Sequence, residues 1–132
     1  MNQYTLILTL LLSLTSFPSS SETMGDLVLR DGIYYKKSTD VPFTGKVTGL
    51  SEGSIKNGKQ EGSWIEFHRE RKLYVKGTYK DGKREGSWAA YWSNGQLLHQ
   101  ATFKNGIREG NWNDYNNDGN VAKMFATTSK RR

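Results

Sequence analysis

At 132 residues the chain has room for one domain. Only 35% of its residues are hydrophobic while 12% are aromatic, and fourteen glycines stand against two prolines, which points to many short strands joined by tight turns and away from an aliphatic core. The formal net charge of +6 favours anionic partners without specifying one, and the absence of cysteine excludes disulfides, thiolate catalysis, cysteine metal sites and a cysteine-linked lipid anchor.

The chain opens with an apolar run over residues 5–14, followed by Phe17, Pro18 and the serines Ser19, Ser20 and Ser21. Such a run is too short to cross a bilayer, which takes ~20 residues. It matches the apolar region of a secretory signal, with small residues supplying a peptidase site near Ser19 to Ser21. Residues 1–21 are therefore expected to be a signal peptide and the mature protein to be secreted or periplasmic. Met1 to Tyr4 carry no Lys or Arg, so the α-amino group must supply the usual N-terminal charge.

Beyond a degenerate opening unit at 22–45, residues 46–126 form a tandem repeat. The stretch from Asn57 and Gly58 through Lys59, Gln60, Glu61, Gly62 and Ser63 to Trp64 recurs at 81–88 and again at 105–112, a step of 24 both times. Phe43, Phe67, Tyr91 and Tyr115 form one series with the same step; Ile55, Tyr79 and Phe103 form another; Lys56, Lys80 and Lys104 form a third. Each unit carries two turn signals. Asn57-Gly58, Asp81-Gly82 and Asn105-Gly106 mark one, and Asn94-Gly95 and Asp118-Gly119 the other. Both pairs read as type I′ hairpin turns, which need two adjacent residues at positive φ. Arg71 stands where the second series has glycine, so the turn after Phe67 should be looser.

Strands are predicted over roughly 62–69, 72–80, 86–93, 96–104, 110–116 and 120–126, with no helical period in 25–126. Trp64 and Phe67 lie three apart, which breaks alternation and calls for a bulge near the repeated glycine. The fold class is all-β: an elongated, open antiparallel meander of ~24-residue hairpin repeats. A lone hairpin is marginal in water. Stacked units bring equivalent positions two strands apart, about 9.6 Å, so Trp64, Trp88 and Trp112 should form a ladder beside the Phe and Tyr series. Gly58, Gly82 and Gly106 then serve the turns, while Gly62, Gly86 and Gly110 let the large rings pack over bare backbone.

These residues resemble the MORN repeat in its bacterial variant form, a glycine-rich unit of about 23 residues with Tyr or Trp after a glycine. The text carrying the likeness is residues 58–67 and its two later copies, with 34–45 as a degenerate first unit. It covers about residues 30–126. The resemblance implies an elongated, slightly curved sheet used as a spacer or binding platform. Bacterial variants are often labelled antitoxin components, and other members are associated with phospholipid or protein partners. A secretory signal departs from the antitoxin picture, since an exported protein cannot meet a cytosolic toxin; only an immunity-like role in the envelope would fit.

Little in the sequence suggests catalysis. His68 and His99 do not occupy equivalent positions and have no local metal-ligand spacing; His68 lies between Glu66 and Glu70, as on a solvent face. No phosphate loop, nucleophile elbow or paired-carboxylate motif is present. No enzyme activity, cofactor or metal is expected. The charged series, with Arg84 and Arg108 beside Glu61, Glu85 and Glu109, read as local neutralisation and solubility. Like charges about 9.6 Å apart repel in water by only ~0.4 kcal/mol.

The leading expectation is a protein-interaction module or scaffold in the bacterial envelope, contacting its partner through Trp92, Tyr74 and Tyr91. Trp92 is singled out because its counterparts are His68 and Asn116. The alternatives are peripheral binding to anionic phospholipid through Lys56, Lys80, Lys104 and the basic tail at 127–132, and glycan stacking on exposed rings. Nucleic acid is not expected, given the interleaved glutamates.

Overall fold

The computed structural model describes residues 21–125. The expected signal segment, apart from Ser21, and the basic tail lie outside the described residues. Among the described residues there are eleven strands: β1 (Ser21–Thr23), β2 (Leu27–Arg30), β3 (Ile33–Lys36), β4 (Gly45–Thr48), β5 (Ser51–Lys56), β6 (Lys59–Phe67), β7 (Leu73–Lys80), β8 (Lys83–Tyr91), β9 (Leu97–Lys104), β10 (Ile107–Tyr115) and β11 (Val121–Phe125). Nine of them make one open sheet in the order β1-β4-β5-β6-β7-β8-β9-β10-β11, and β2 and β3 form a separate hairpin. From β4 onward every neighbour is antiparallel and consecutive in sequence, the meander that the repeat implies.

One rim carries the first turn series. Lys56 pairs with Lys59, Lys80 with Lys83, and Lys104 with Ile107, so two-residue turns close the hairpins directly. Asn57, Asp81 and Asn105 lie at φ 49°, 51° and 50°, as a type I′ turn demands. Asp31 (φ 50°) and Gly32 make the same turn between β2 and β3.

The strands after these turns start three residues before the expected boundary, at 59, 83 and 107 rather than 62, 86 and 110. The repeated glycine does not flank the turn; it is a bulge inside the strand. Thr78 pairs with Glu85 and Lys76 with Ala89, so β7 advances two residues while β8 advances four. The same two-against-four step recurs at Glu52 and Ser54 against Ile65 and Glu61, and at Gln100 and Thr102 against Asn113 and Glu109. Gly62, Gly86 and Gly110 hold φ 80°, 71° and 66° there. A Cβ added to any of them would meet nothing within 4 Å, so they are not the backbone under the rings.

The rings rest on a different glycine series. A Cβ on Gly53 would fall 2.2 Å from Trp64, and one on Gly77 would fall 2.1 Å from Trp88. The third member is Ala101, opposite Trp88 on one side, and Trp112 in that last unit is only partly buried whereas Trp64 and Trp88 are 1% and 3% exposed. The alternation break between Trp64 and Phe67 is absorbed by a second irregularity near the strand end, at Glu66/Phe67, and again at Ala90/Tyr91 and Asp114/Tyr115.

The opposite rim carries the second turn series, and it is not type I′. Only the glycine is left-handed, at φ 85° for Gly95 and 86° for Gly119. The Trp92 amide donates to the Gln96 carbonyl and the Gly95 amide to the Trp92 carbonyl, a type I turn closed by a left-handed residue; Asn116, Gly119 and Asn120 repeat it. Arg71 adopts φ 61° in the same turn, with the His68 amide donating to Lys72 and the Arg71 amide to His68, both at 2.8 Å. The turn is therefore not looser. Arg71 is held in that unfavourable conformation by Nη1 donating to the Gly49 carbonyl at 2.5 Å and Nη2 pairing with Glu52 at 3.1 Å.

The N-terminal end departs from the meander. β1 pairs with β4 in parallel, and a single 3-10 turn, Met24–Asp26, leads into the β2–β3 hairpin. The hairpin closes over the start of the sheet. Tyr34 donates its amide to Gly58, Phe43 donates to Tyr34, and Gly58 donates to the Phe43 carbonyl at 2.7 Å. In the later units the carbonyls of Gln60 and Arg84 receive the amides of Gly82 and Gly106. Phe43 thus occupies the place of position 36 in the repeat, and the series joining it to Phe67, Tyr91 and Tyr115 breaks at its first member. β4, β5 and this cap were not among the predicted strands.

Leu27, Phe43, Val47, Ile55, Trp64, Trp88, Ala101 and Phe103 form one buried cluster, with Tyr34, Tyr79 and Trp112 packed against it. Burial raises the Tyr34 phenol above its ordinary pKa, with smaller contributions from Tyr79 and Glu66. The cap therefore covers the aromatic face over the first units and does not extend along the rest of it, where Arg84 and Arg108 lie over the rings instead.

Candidate functional site

Strand alternation sorts the repeat into two faces. One face carries an aromatic row across five strands. Trp64 meets Tyr79 edge-on at 5.8 Å, and Tyr79 meets Trp88 edge-on at 4.9 Å. The expected ladder of tryptophans is thus a mixed one, with Tyr79 of β7 inserted between them; such pairs add ~0.5–1.5 kcal/mol beyond burial.

Arginines lie on the same face. The Arg84 guanidinium sits 4.5 Å from the Trp88 ring and 5.3 Å from Phe103. Arg108 sits 5.7 Å from Phe103 and 4.7 Å from Trp112. Neither forms an ion pair among the described residues. The neutralisation expected from Glu85 and Glu109 fails because residues adjacent in a strand point to opposite faces. Glu85 pairs across the sheet with Thr78, and its Oε2 accepts the Asn105 amide of the next turn at 2.9 Å. Glu61 does the same for Asp81 at 2.7 Å. These glutamates are braces between successive hairpins.

Lys56, Lys80 and Lys104 end their strands on the glutamate face, exposed, at the type I′ rim. Lys59 beside them pairs with Asp81 at 3.4 Å. The three aromatics predicted for contact lie at the other rim. Tyr74 is 39% exposed and stacks at 4.7 Å on His68. Tyr91 is half-buried with the Lys76 ammonium 5.6 Å from its ring. Trp92 is 36% exposed, and its Nε1–H donates to the Tyr115 carbonyl at 3.1 Å. The structure therefore places Trp92, Tyr74 and Tyr91 at one rim and the lysines at the other, but it does not gather the three rings on one face: Tyr74 lies beside Trp88 and His99 on the aromatic face, and Tyr91 lies with Lys76 on the opposite one.

Trp92 is not an outsider to the repeat. One unit earlier, His68 Nε2 bonds to the Tyr91 carbonyl at 3.1 Å; the carbonyl fixes that nitrogen as the donor. His68 and Trp92 are the same strap, a ring N–H tying one unit to the turn of the next. The sequence signal was present, since the two lie 24 apart, but His and Trp share little beyond that N–H.

A shallow pocket of about 250 Å³ opens on the aromatic face, lined by Tyr74, Val75, Arg84, Trp88, Ala90, His99 and Phe103. Sequence reasoning missed it because its cause is a small residue. Positions equivalent to Ala90 are Glu66 and Asp114. Glu66 accepts the Trp64 Nε1–H at 3.2 Å. Asp114 accepts the His99 Nδ1–H. In the middle unit Trp88 Nε1 turns instead to the Thr78 carbonyl at 3.1 Å.

Among the described residues no group of three His, Asp or Glu side chains is placed to hold a metal ion. No family model matches the chain, no curated protein matches it, and no solved structure does.

Proposed function

We propose that this is a non-catalytic MORN-type repeat protein, exported to the bacterial envelope, that works as a protein-interaction module through its aromatic–arginine face. The observation that carries this reading is the contrast along that face. The chain's own β2–β3 hairpin is laid over the first units, where Leu27 and Tyr34 join the aromatic cluster. Beyond it the row continues under Arg84 and Arg108, two guanidiniums that form no ion pair with a carboxylate among the described residues. A surface that already accepts polypeptide in one half presents, in the other, two guanidiniums laid over the continuation of the same buried row. Arginine stacked on aromatic rings is favoured at the centre of protein interfaces.

The test is cross-linking in cells followed by capture of the tagged full chain from envelope and soluble fractions, washed at low and high salt. A discrete protein retained at both salts, and lost with Arg84→Gln plus Arg108→Gln, supports the reading. A retained set unchanged by that double substitution sinks it.

A second reading is peripheral binding to anionic phospholipid. The exposure of Lys56, Lys80 and Lys104 along one rim favours it, each surface cation adding ~1 kcal/mol. Vesicle co-sedimentation that collapses on Lys56→Gln, Lys80→Gln and Lys104→Gln, but not on the arginine substitutions, selects this reading over the first.

A further inference from the structure

We infer that the pocket over Ala90 is a receptor for a carboxylate side chain, an Asp or Glu presented by an extended segment of a partner protein. This deepens the interaction-module reading and rests on it. The argument comes from the repeat itself. The units before and after place a carboxylate at this position, Glu66 and Asp114, and each is bound by a ring N–H on the same face. The middle unit has alanine there, and its ring donors are turned elsewhere: Trp88 Nε1 donates to the Thr78 carbonyl and His99 Nδ1 to Asp114, which leaves Arg84 as the cation that lines the pocket. His99 stands opposite Ala90 on β8 and opposite Asp114 on β10. Its Nδ1 is engaged by Asp114, while its Nε2 makes no hydrogen bond among the described residues. Arg84, which lines the pocket, forms no ion pair with a carboxylate among the described residues.

The two neighbouring units carry a carboxylate at this position, and in the middle unit Arg84 supplies the cation that one presented from outside would meet. A carboxylate entering over Ala90 gains a charge-assisted bond from the Arg84 guanidinium and lies against Trp88 and Phe103, where water is partly excluded and the bond is strengthened. An isolated carboxylate in a flexible small molecule would lose most of that gain to ordering. An extended segment presents alternate side chains at fixed spacing and lies along strand-like surfaces. The chain's own hairpin demonstrates such a placement one unit away.

The repeat also supplies the test substitutions. Ala90→Asp installs the residue of the third unit, and Arg84→Gln installs the residue of the first, Gln60; both are compatible with the fold. The probe is a capped eight-residue peptide of alternating Glu and Thr, titrated into the full chain, with a Gln and Thr peptide as control. Binding is read from the indole N–H resonances of the four tryptophans. The expected result is a saturable shift centred on Trp88, absent with the Gln peptide. It should weaken at least tenfold in both Ala90→Asp and Arg84→Gln, with circular dichroism unchanged, and persist in Lys80→Gln. Inorganic phosphate at the same charge concentration should compete at least tenfold less well than the Glu peptide. No shift at Trp88, equal binding of the Gln peptide, equal competition by phosphate, or binding unaffected by Ala90→Asp each overturns the inference. A cellular partner still captured by Ala90→Asp leaves the interaction module standing and removes the pocket from it. Peptide binding with no cellular partner does the reverse.

Discussion

Gly77 and Trp88 face each other across β7 and β8 with no room for a methyl group between them: a Cβ on Gly77 would stand 2.1 Å from Trp88 Cδ2. Gly86, two residues before Trp88, is required for another reason, its φ of 71° in open space. The two glycines should therefore fail differently. Gly77→Ala forces the indole off its seat, an overpacking cost of ~1–3 kcal/mol, with a red shift and loss of intensity in tryptophan emission. Gly86→Ala costs ~1–2 kcal/mol from the left-handed backbone, with emission unchanged, and Gly86→Asn recovers much of it. Denaturant unfolding with fluorescence detection separates the two. Equal emission changes for both would show that the ring does not rest on Gly77.

The equivalence of His68 and Trp92 predicts a tolerance that an exposed tryptophan would not otherwise have. Each ring donates an N–H to the carbonyl of residue 91 or 115. Trp92→Phe keeps an aromatic surface but removes the donor, and should cost ~0.5–1.5 kcal/mol. Trp92→His keeps the donor and should restore most of that stability. Thermal unfolding of the three proteins decides it. If Phe is tolerated as well as Trp, the strap is idle and the ring is free to serve contact.

Much of this architecture was legible from spacing alone. A step of 24 with Asn-Gly or Asp-Gly at its start dictates two strands per unit, because two adjacent residues at positive φ have few other uses. What spacing could not tell is which glycine does what. Gly62 and Gly77 look alike in sequence; one is a bulge in open space and the other the floor under Trp88. Nor could it name the cross-strand neighbours beyond Glu85 while the bulge was uncounted, since two extra residues in the strand leave parity intact but shift every partner after them. The pocket over Ala90 was hidden for a related reason. An absence at one repeat position means nothing until Glu66, Asp114 and His99 are seen around it. The N-terminal cap was illegible because Phe43 falls in step with Phe67 by number and does a different job.

Acid should loosen the turn at Asp118 and the 3-10 turn at Asp26 before the rest. The Asn120 amide, and then its side chain, hold the Asp118 carboxyl below its ordinary pKa. The Thr23 hydroxyl, and then its amide, do the same for Asp26. A carboxyl depressed in the folded state binds its proton more readily in the unfolded chain. Its contribution is present above the unfolded value and is lost as pH falls through the folded one. Melting temperature should therefore decline below pH 4. Asp118→Asn should flatten part of that decline while leaving the neutral-pH value nearly unchanged, because Asn94 Oδ1 accepts the Gln96 amide at 3.0 Å in the preceding turn. An acid limb unaltered by Asp118→Asn would remove this residue from the titration.

The glutamate braces give the strongest test of how units communicate. Glu61 Oε2 accepts the Asp81 amide and Glu85 Oε2 the Asn105 amide, each bond crossing from one hairpin to the tip of the next. Neither amide is served by its own turn. Glu61→Ala leaves the Asp81 N–H to water and removes one inter-unit tie, worth ~0.5–1.5 kcal/mol. In a repeat protein whose units contact chiefly their neighbours, the damage should stay local. Amide hydrogen exchange should accelerate at Asp81 and Gly82, with little change at Asn105 and Gly106, and Glu85→Ala should give the mirror pattern. Glu61→Gln, which keeps an acceptor oxygen, should fall between alanine and the wild type. If both alanine substitutions instead raise exchange uniformly along the sheet, the units are not independently braced and the meander unfolds as one body.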